Sequence, residues 1–289
     1  MTCSWRSACA RSWISDVRAG VLRLVAAAVL LAGCAREVDQ HRAVPTQGGT
    51  PSFLAQSFDA TGTLLVGTPL GVYRSTDGGR TWHTTKRHVW GALAAGFTQA
   101  STIVSRGRLL ERGNLAYDHV DSPKRSPFHG GSVLALSWLP GGKLYALVHG
   151  TYWRLYVTLD SARTWYPRPA LELPVSTRAI AAARAKGGPD VIYAAAGRTG
   201  LWRSVDGGVS WSRLPVAANA QSVATTPARW QHVVAALPEL SWSDDYGATW
   251  HTSGPRATIV ASDPRNERVW YAVAPDGELL VSIDGGHSW

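Results

Sequence analysis

Ser75-Thr76-Asp77-Gly78-Gly79-Arg80-Thr81-Trp82 is the stretch that decides the fold, because close copies of it return along the chain. Three further copies occupy residues 204–211, 243–250 and 282–289, and each ends on a tryptophan. A weaker copy at 158–165 keeps the first hydroxyl, the Asp, the Thr and the Trp but has neither glycine. Recurrence of one phrase predicts a protein assembled from similar structural units.

The spacing of the copies gives the size of each unit. The copies end on the tryptophans at positions 82, 165, 211, 250 and 289, so the first interval is about twice as long as the others. This long interval predicts a degenerate copy, which we place at 110–117 with Arg112 where the Asp should be. Six units of about 40 residues follow, which is the period of a four-stranded propeller blade.

Each part of the phrase has a structural explanation. Alternating apolar residues lead into it as a strand, and Asp-Gly-Gly then reverses the chain, because Gly adopts positive φ at no steric cost. The Asp carboxylate can accept hydrogen bonds from backbone N–H groups of its own turn. Because the phrase recurs at nearly every period, we interpret it as structural and not catalytic. The predicted structural positions are Ser75, Asp77, Gly79, Trp82, Asp160, Trp165, Ser204, Asp206, Gly208, Trp211, Ser243, Asp245, Gly247, Trp250, Ser282, Asp284, Gly286 and Trp289.

These phrases resemble the Asp-box, or BNR, repeat, whose pattern is Ser-x-Asp-x-Gly-x-Thr-Trp. The resemblance covers the chain from about residue 52 to its end. It implies a β-propeller with a box between the third and fourth strands of each blade. It implies no single function, because sialidases, xyloglucanases, sortilin-type receptors and the photosystem II stability/assembly factor family all carry this repeat.

The stretch at 1–33 has the features of an export signal. Arg6, Arg11 and Arg18 precede an apolar run at 21–31, which is too short to span a bilayer. The run ends in Leu31-Ala32-Gly33-Cys34, which resembles the bacterial lipobox. That resemblance implies cleavage before Cys34 and lipid attachment to this cysteine, and hence a lipid-anchored protein at the cell membrane or outer membrane that faces the periplasm or exterior. The alternative is a plain signal peptide with an incidental cysteine.

The predicted domains are a lipoprotein signal at 1–33, a lipid-anchored tether at 34–51 and a propeller at 52–289. Cys3 and Cys9 would leave with the signal, so the mature protein would depend on its apolar core and not on disulfides. The last predicted blade lacks a fourth strand before the chain stops at Trp289. We therefore expect residues 43–46 to pair with that blade.

The fold expected is all-β: a six-bladed propeller of four-stranded antiparallel blades joined by Asp-box hairpins. Seven blades would leave fewer than about 37 residues for each, which is below the usual period, so six are expected. Strands are predicted at, among others, 201–204, 240–243 and 279–282, each of which ends at the first hydroxyl of a box.

A basic region and a long polar loop interrupt the regular pattern. The loop at 117–131 holds several charged residues and two histidines, and loops often carry function. Removing the signal leaves a modest net charge of +6. A basic patch on the second blade could meet an acidic protein or anionic lipid, and solvated arginines are the alternative interpretation. The patch residues are Arg106, Arg108, Arg112, Lys124 and Arg125.

No catalytic, metal or cofactor site is predicted. The nine histidines contain no His-x-x-x-His pair, and no Gly-rich phosphate loop precedes a helix. Sialidases carry a Phe/Tyr-Arg-Ile-Pro motif before the first box, but this chain has His41-Arg42-Ala43-Val44-Pro45 there. We expect a non-catalytic platform for another membrane or extracytoplasmic protein, without nucleic acid. The alternative is a sialidase-like or other glycoside hydrolase with a glycan partner.

Overall fold

A computed structural model describes 42–46, 51, 53–56, 63–68, 71–85, 93–95, 102–106, 109–114, 119–120, 124–125, 128, 131–150, 153–169, 173–174, 176–184, 187–216, 219–226 and 229–289. These residues belong to one compact unit, His41–Trp289. They form strands and turns, and within them no helix is long and apolar enough to cross a membrane. The predicted signal and Cys34 lie outside the described residues.

Within the described residues, twenty-four strands form antiparallel sheets. The strands are β1 (Phe53–Gln56), β2 (Leu64–Thr68), β3 (Gly71–Ser75), β4 (His83–Thr84), β5 (Leu93–Ala95), β6 (Thr102–Arg106), β7 (Leu109–Asn114), β8 (His119–Val120), β9 (Lys124–Arg125), β10 (Ser132–Leu139), β11 (Lys143–His149), β12 (Trp153–Thr158), β13 (Tyr166–Pro167), β14 (Ala179–Arg184), β15 (Asp190–Ala195), β16 (Leu201–Ser204), β17 (Ser212–Arg213), β18 (Ser222–Thr225), β19 (Val233–Ala236), β20 (Leu240–Ser243), β21 (His251–Thr252), β22 (Ile259–Ser262), β23 (Trp270–Val273) and β24 (Leu279–Ser282).

Five sheets are propeller blades with an Asp box. Four of them have four strands in sequence order, namely β1–β4, β10–β13, β14–β17 and β18–β21, and the fifth is β22–β24. In each, the third strand ends at the first hydroxyl residue of a box, as at Ser204 and Ser243. The expectation of an all-β propeller with antiparallel four-stranded blades is confirmed.

The remaining sheet, β5–β9, differs from the expected blade. It has five strands, because β8 and β9 both pair with β7. The predicted degenerate box at 110–117 is wrong in its placement, since residues 110–114 continue the strand β7. The predicted loop at 117–131 likewise contains the two short strands β8 and β9. The expectation of a six-bladed propeller is therefore wrong: the described residues form five Asp-box blades and one five-stranded sheet that lacks a box.

The apolar core lies between neighbouring blades. The first strands of successive sheets contact one another in a closed circle. Small side chains suit these crowded strands, and Ala181, Ala182 and Ala183 of β14 are all buried. One buried cluster joins Tyr145 and Leu155 of one blade to Ile192 of the next. The blades therefore pack side by side around the central axis of the propeller.

The circle closes through a segment near the start of the described chain. Ala43 forms an antiparallel bridge with Glu278, the Val44 N–H donates to the Gly277 carbonyl at 2.9 Å, and the Leu279 N–H donates to the Arg42 carbonyl at 2.7 Å. Val44 is buried in a cluster with Leu64 of the first blade and Leu279 of the last. The expected pairing of this segment with the last blade is confirmed.

Candidate functional site

The Asp boxes are compact turns held by one repeated hydrogen-bond network. In the box that follows β16, the Ser204 hydroxyl donates to Asp206 Oδ1 at 2.7 Å and accepts the Gly208 N–H at 2.7 Å. The other carboxylate oxygen of Asp206 accepts the Ser210 hydroxyl at 2.5 Å. The same donors and acceptors recur in the other four boxes. This network satisfies the backbone of a sharp turn without help from another molecule.

The carboxylates in these turns are strongly acidic. Hydrogen bonds from Thr81 and Ser75 hold the pKa of Asp77 well below its usual range. Burial alone would raise the pKa of Asp206, but the hydrogen bonds from Ser210, Ser204 and the Val209 backbone lower it to about 2. Such a carboxylate is ionised and fully engaged at neutral pH, so it is a poor candidate for a general acid.

Two consecutive residues in every box have positive φ. They are Gly78 and Gly79 in the first box, but Ser161 and Ala162 take the same conformation in the second at φ 57° and 67°. This explains how the weaker copy at 158–165 still folds as a box without a glycine. The second of the two positions also meets the preceding blade, because a Cβ at Gly208 would collide with Leu155. The box tryptophans fill the same seams, as Trp211 does between β10–β13 and β14–β17.

The buried carboxylate of Asp190 links two blades through a group of polar side chains. Its Oδ2 accepts the Tyr145 hydroxyl at 2.7 Å and pairs with Lys143 Nζ, and Arg184 Nε lies 3.6 Å from Oδ1. Burial, and then the hydrogen bond to Asp190, raise the pKa of Tyr145 well above its usual range. Because Tyr145 is fully buried and Asp190 almost so, this pair cannot reach a sugar or a protein partner.

A second cluster, also missed by sequence reasoning, ties two boxes together. His232 is buried, with Nδ1 2.6 Å from Asp244 Oδ1 and Nε2 2.7 Å from the Gly285 carbonyl of the next blade. Arg229 also donates to Asp244, at 2.8 Å. Burial lowers the pKa of His232, and the hydrogen bond and charge of Asp244 oppose this shift. Among the residues that the structure describes, no group of three His, Cys, Asp or Glu could hold a metal ion.

The structure brings most of the predicted basic patch into one sheet. Backbone pairing places Arg106 opposite Leu109, Leu109 opposite Arg125 and Leu110 opposite Lys124. Three of the basic residues therefore occupy neighbouring positions at the β6–β7 connection. Arg112 pairs with Ile103 farther along β7, and Arg108 lies outside the described residues.

The ring has two ends of different character. In the Asp-box blades, the second and third strands are joined by a hairpin at one end, and the boxes lie at the other. We call these the hairpin end and the box end. The β6–β7 connection corresponds to the hairpin end, where the exposed Arg198 also lies between β15 and β16. The basic patch is therefore placed away from the boxes.

Comparison with sequence families supports the repeat. The BNR/Asp-box repeat family matches residues 73–84, which include the whole first box. No curated protein matches the chain significantly in sequence. The chain is therefore similar to BNR/Asp-box proteins in its repeats, and its fold is a β-propeller.

Solved structures show the same fold at low sequence identity. A chain of the mitotic checkpoint complex matches with a TM-score of 0.59 and 12% identity over 86% of this chain and 94% of that one. YCF48 from Cyanidioschyzon merolae matches with a TM-score of 0.54 and 16% identity over 86% of each chain. YCF48 bound to D1 peptide matches with a TM-score of 0.54 and 15% identity over 86% of this chain and 82% of that chain.

Proposed function

We propose that this propeller is an exported, lipid-anchored platform that binds another protein at the membrane surface and helps to assemble it into a complex. The observation that carries the binding role is the likeness to YCF48, a propeller whose structure is known with a bound D1 peptide. Propellers are rigid rings that present loops from several blades on one end, which suits them to hold an extended segment of a partner.

The basic patch at the β6–β7 connection is the proposed contact for that partner. Arg106, Lys124 and Arg125 occupy adjacent positions of one sheet end, and like charges grouped in this way favour an acidic partner segment. The polar clusters around Asp190 and Asp244 are assigned to the seams between blades. The Asp boxes are assigned to the structure of the blades, because their polar groups bond one another.

Charge reversal tests the patch. Arg106→Glu combined with Lys124→Glu should lower capture of the partner from host membranes at least tenfold, because attraction becomes repulsion at the contact. Arg213→Glu, at an exposed arginine of β17, is the matched control and should leave capture unchanged. Quantitative mass spectrometry of the captured proteins gives the comparison. Equal capture by the patch variant and the wild type would remove the patch from the proposal.

The lipid anchor on Cys34 has its own test. Cys34→Ser should move the protein from the membrane fraction to the soluble fraction, because the thiol that would carry the lipid is lost. Intact-mass measurement of the membrane-bound wild type should show the added acyl mass. Continued membrane retention of the Cys34→Ser variant would reject lipidation.

The capture experiment also tests the glycoside hydrolase alternative. If the anchored protein repeatedly comes without a stoichiometric partner, a screen of sialosides and other glycosides is the next measurement. Turnover of one of these would replace the assembly role.

A further inference from the structure

The large apolar side chains that the described part of the chain exposes are gathered at the box end. They are Leu159, Tyr166, Val205, Val209 and Ile283. Leu159, Val205 and Ile283 occupy the same place in three boxes, directly after the first hydroxyl residue, and their exposed fractions are 62%, 52% and 72%. A single exposed aliphatic residue is ordinary, but this set lies in or directly after boxes. We call Leu159, Val205 and Ile283 the box tips.

The chain also enters the ring from this end. β24 runs from the hairpin at Gly277 towards its box, and residues 42–46 run antiparallel to it. Arg42 is therefore the box-end residue of the closing segment. Its guanidinium donates to the Gly78 carbonyl in the first box at 3.1 Å.

Only a short stretch of chain separates Cys34 from Arg42. Eight residue steps separate them, so even a fully extended chain spans at most about 29 Å. An anchor at Cys34 holds the point where the chain enters the ring within that distance of the bilayer. The box tips share that end of the ring, whereas the hairpin end lies at the opposite ends of the strands.

We propose that the box tips contact the lipid bilayer, so that the anchored propeller sits with its box end on the membrane and its hairpin end towards solvent. This rests on the membrane anchoring in the proposed function. Three aliphatic side chains bind a bilayer weakly by themselves, since interfacial binding grows with the apolar area inserted. The anchor compensates by holding the tips at high effective concentration next to the lipid.

The orientation is consistent with the proposed partner site. The hairpin end carries the β6–β7 basic patch, which in this orientation faces away from the bilayer and stays open to a second protein. Tyr166, exposed in β13 beside the second box, is of the residue type that favours the membrane–water interface.

Fluorescent probes at the two ends of one strand test this orientation. Val205→Cys, just after β16, and Arg198→Cys, just before it, are each made in the full chain with Cys3→Ser and Cys9→Ser. The protein recovered from membranes is labelled with an environment-sensitive dye and reconstituted into phosphatidylcholine vesicles. The emission of the dye at position 205 should shift to the blue and be quenched by spin-labelled lipid. The emission of the dye at position 198 should be that of a dye in water. Adding Leu159→Ser and Ile283→Ser should shift the emission of the dye at position 205 back towards that of a dye in water.

The other outcomes distinguish a failure of the proposed orientation from a failure of the proposed lipid anchor. A protein that carries acyl mass on Cys34 but reports water at both positions would overturn the orientation and leave the anchor intact. Lipid contact at position 198 would reverse the orientation and equally overturn it. A probe at position 205 that is exposed on pure vesicles but shielded in native membranes would assign the box tips to a protein partner. Recovery only in the soluble fraction would reject the anchor, and with it this inference.

Discussion

At the scale of single residues, the box carboxylates organise turns that would otherwise leave backbone N–H groups unpaired. Asp206 alone accepts hydrogen bonds from Ser204, Val209 and Ser210. These partners lie within four positions of the Asp in the sequence. That is why the role of the box could be predicted from the phrase itself.

Asp206→Ala should lower the free energy of unfolding at pH 7 by on the order of 1 kcal/mol, through lost turn hydrogen bonds. The pKa of Asp206 is about 2 in the folded protein and about 3.9 when unfolded. Its contribution is therefore present above about pH 4 and lost as the pH falls through 2. Urea unfolding should show a smaller difference in the free energy of unfolding between wild type and variant at pH 2 than at pH 7.

Asp276→Ala is the control, because the exposed Asp276 accepts only the Glu278 N–H at 3.1 Å among the described contacts. It should change stability much less than Asp206→Ala. A fully stable Asp206→Ala protein that no longer captures its partner would contradict the structural assignment of the boxes.

Long-range polar contacts could not be predicted in this way. Asp190 meets Tyr145 across 45 positions, and His232 meets the Gly285 carbonyl across 53. Neither pair has a local sequence signal. Each is created by the stacking of one blade on the next, which the sequence of a single blade does not encode.

At the scale of elements, three of the five strands that lead into boxes were predicted to the residue. β16, β20 and β24 have the bounds expected from alternating apolar residues and the box hydroxyl. The error lies where the box signature is lost. Without an Asp to stop the strand, β7 continues to Asn114, and the sheet gains β9.

Box glycines also set how closely two blades approach. Gly208→Ala should destabilise by about 2–4 kcal/mol, because it adds left-handed strain at φ +90° and a Cβ that collides with Leu155. Gly141→Ala is the matched control, since Gly141 has φ +81° but open space where its Cβ would lie. It should cost about 1–2 kcal/mol, from strain alone. Equal losses of stability for the two variants in thermal unfolding would show that the seam between the blades accommodates the extra methyl group.

At the scale of the whole molecule, the closing segment joins the first and last blades. Val44→Pro removes the N–H that donates to Gly277 and disturbs a buried side chain, so it should destabilise by on the order of 2 kcal/mol. Thr46→Pro, at an exposed position of the same segment, should have a smaller effect. Denaturant unfolding of both variants gives the comparison. A Val44→Pro protein as stable as wild type would mean that the ring does not depend on this segment.

The same closure constrains the order in which the protein can fold during synthesis. Arg42 leaves the ribosome well before its partner Leu279, which lies in β24. Hairpins within each blade are local and can form as they emerge, whereas this contact must await the synthesis of β24. Until then the first blade has no neighbour on one side. The side chain of Leu64 lacks Leu279, which belongs to the same buried cluster in the folded protein. The incomplete ring is thus the stage at which the nascent protein is most exposed to aggregation, and the arrival of the last blade ends it.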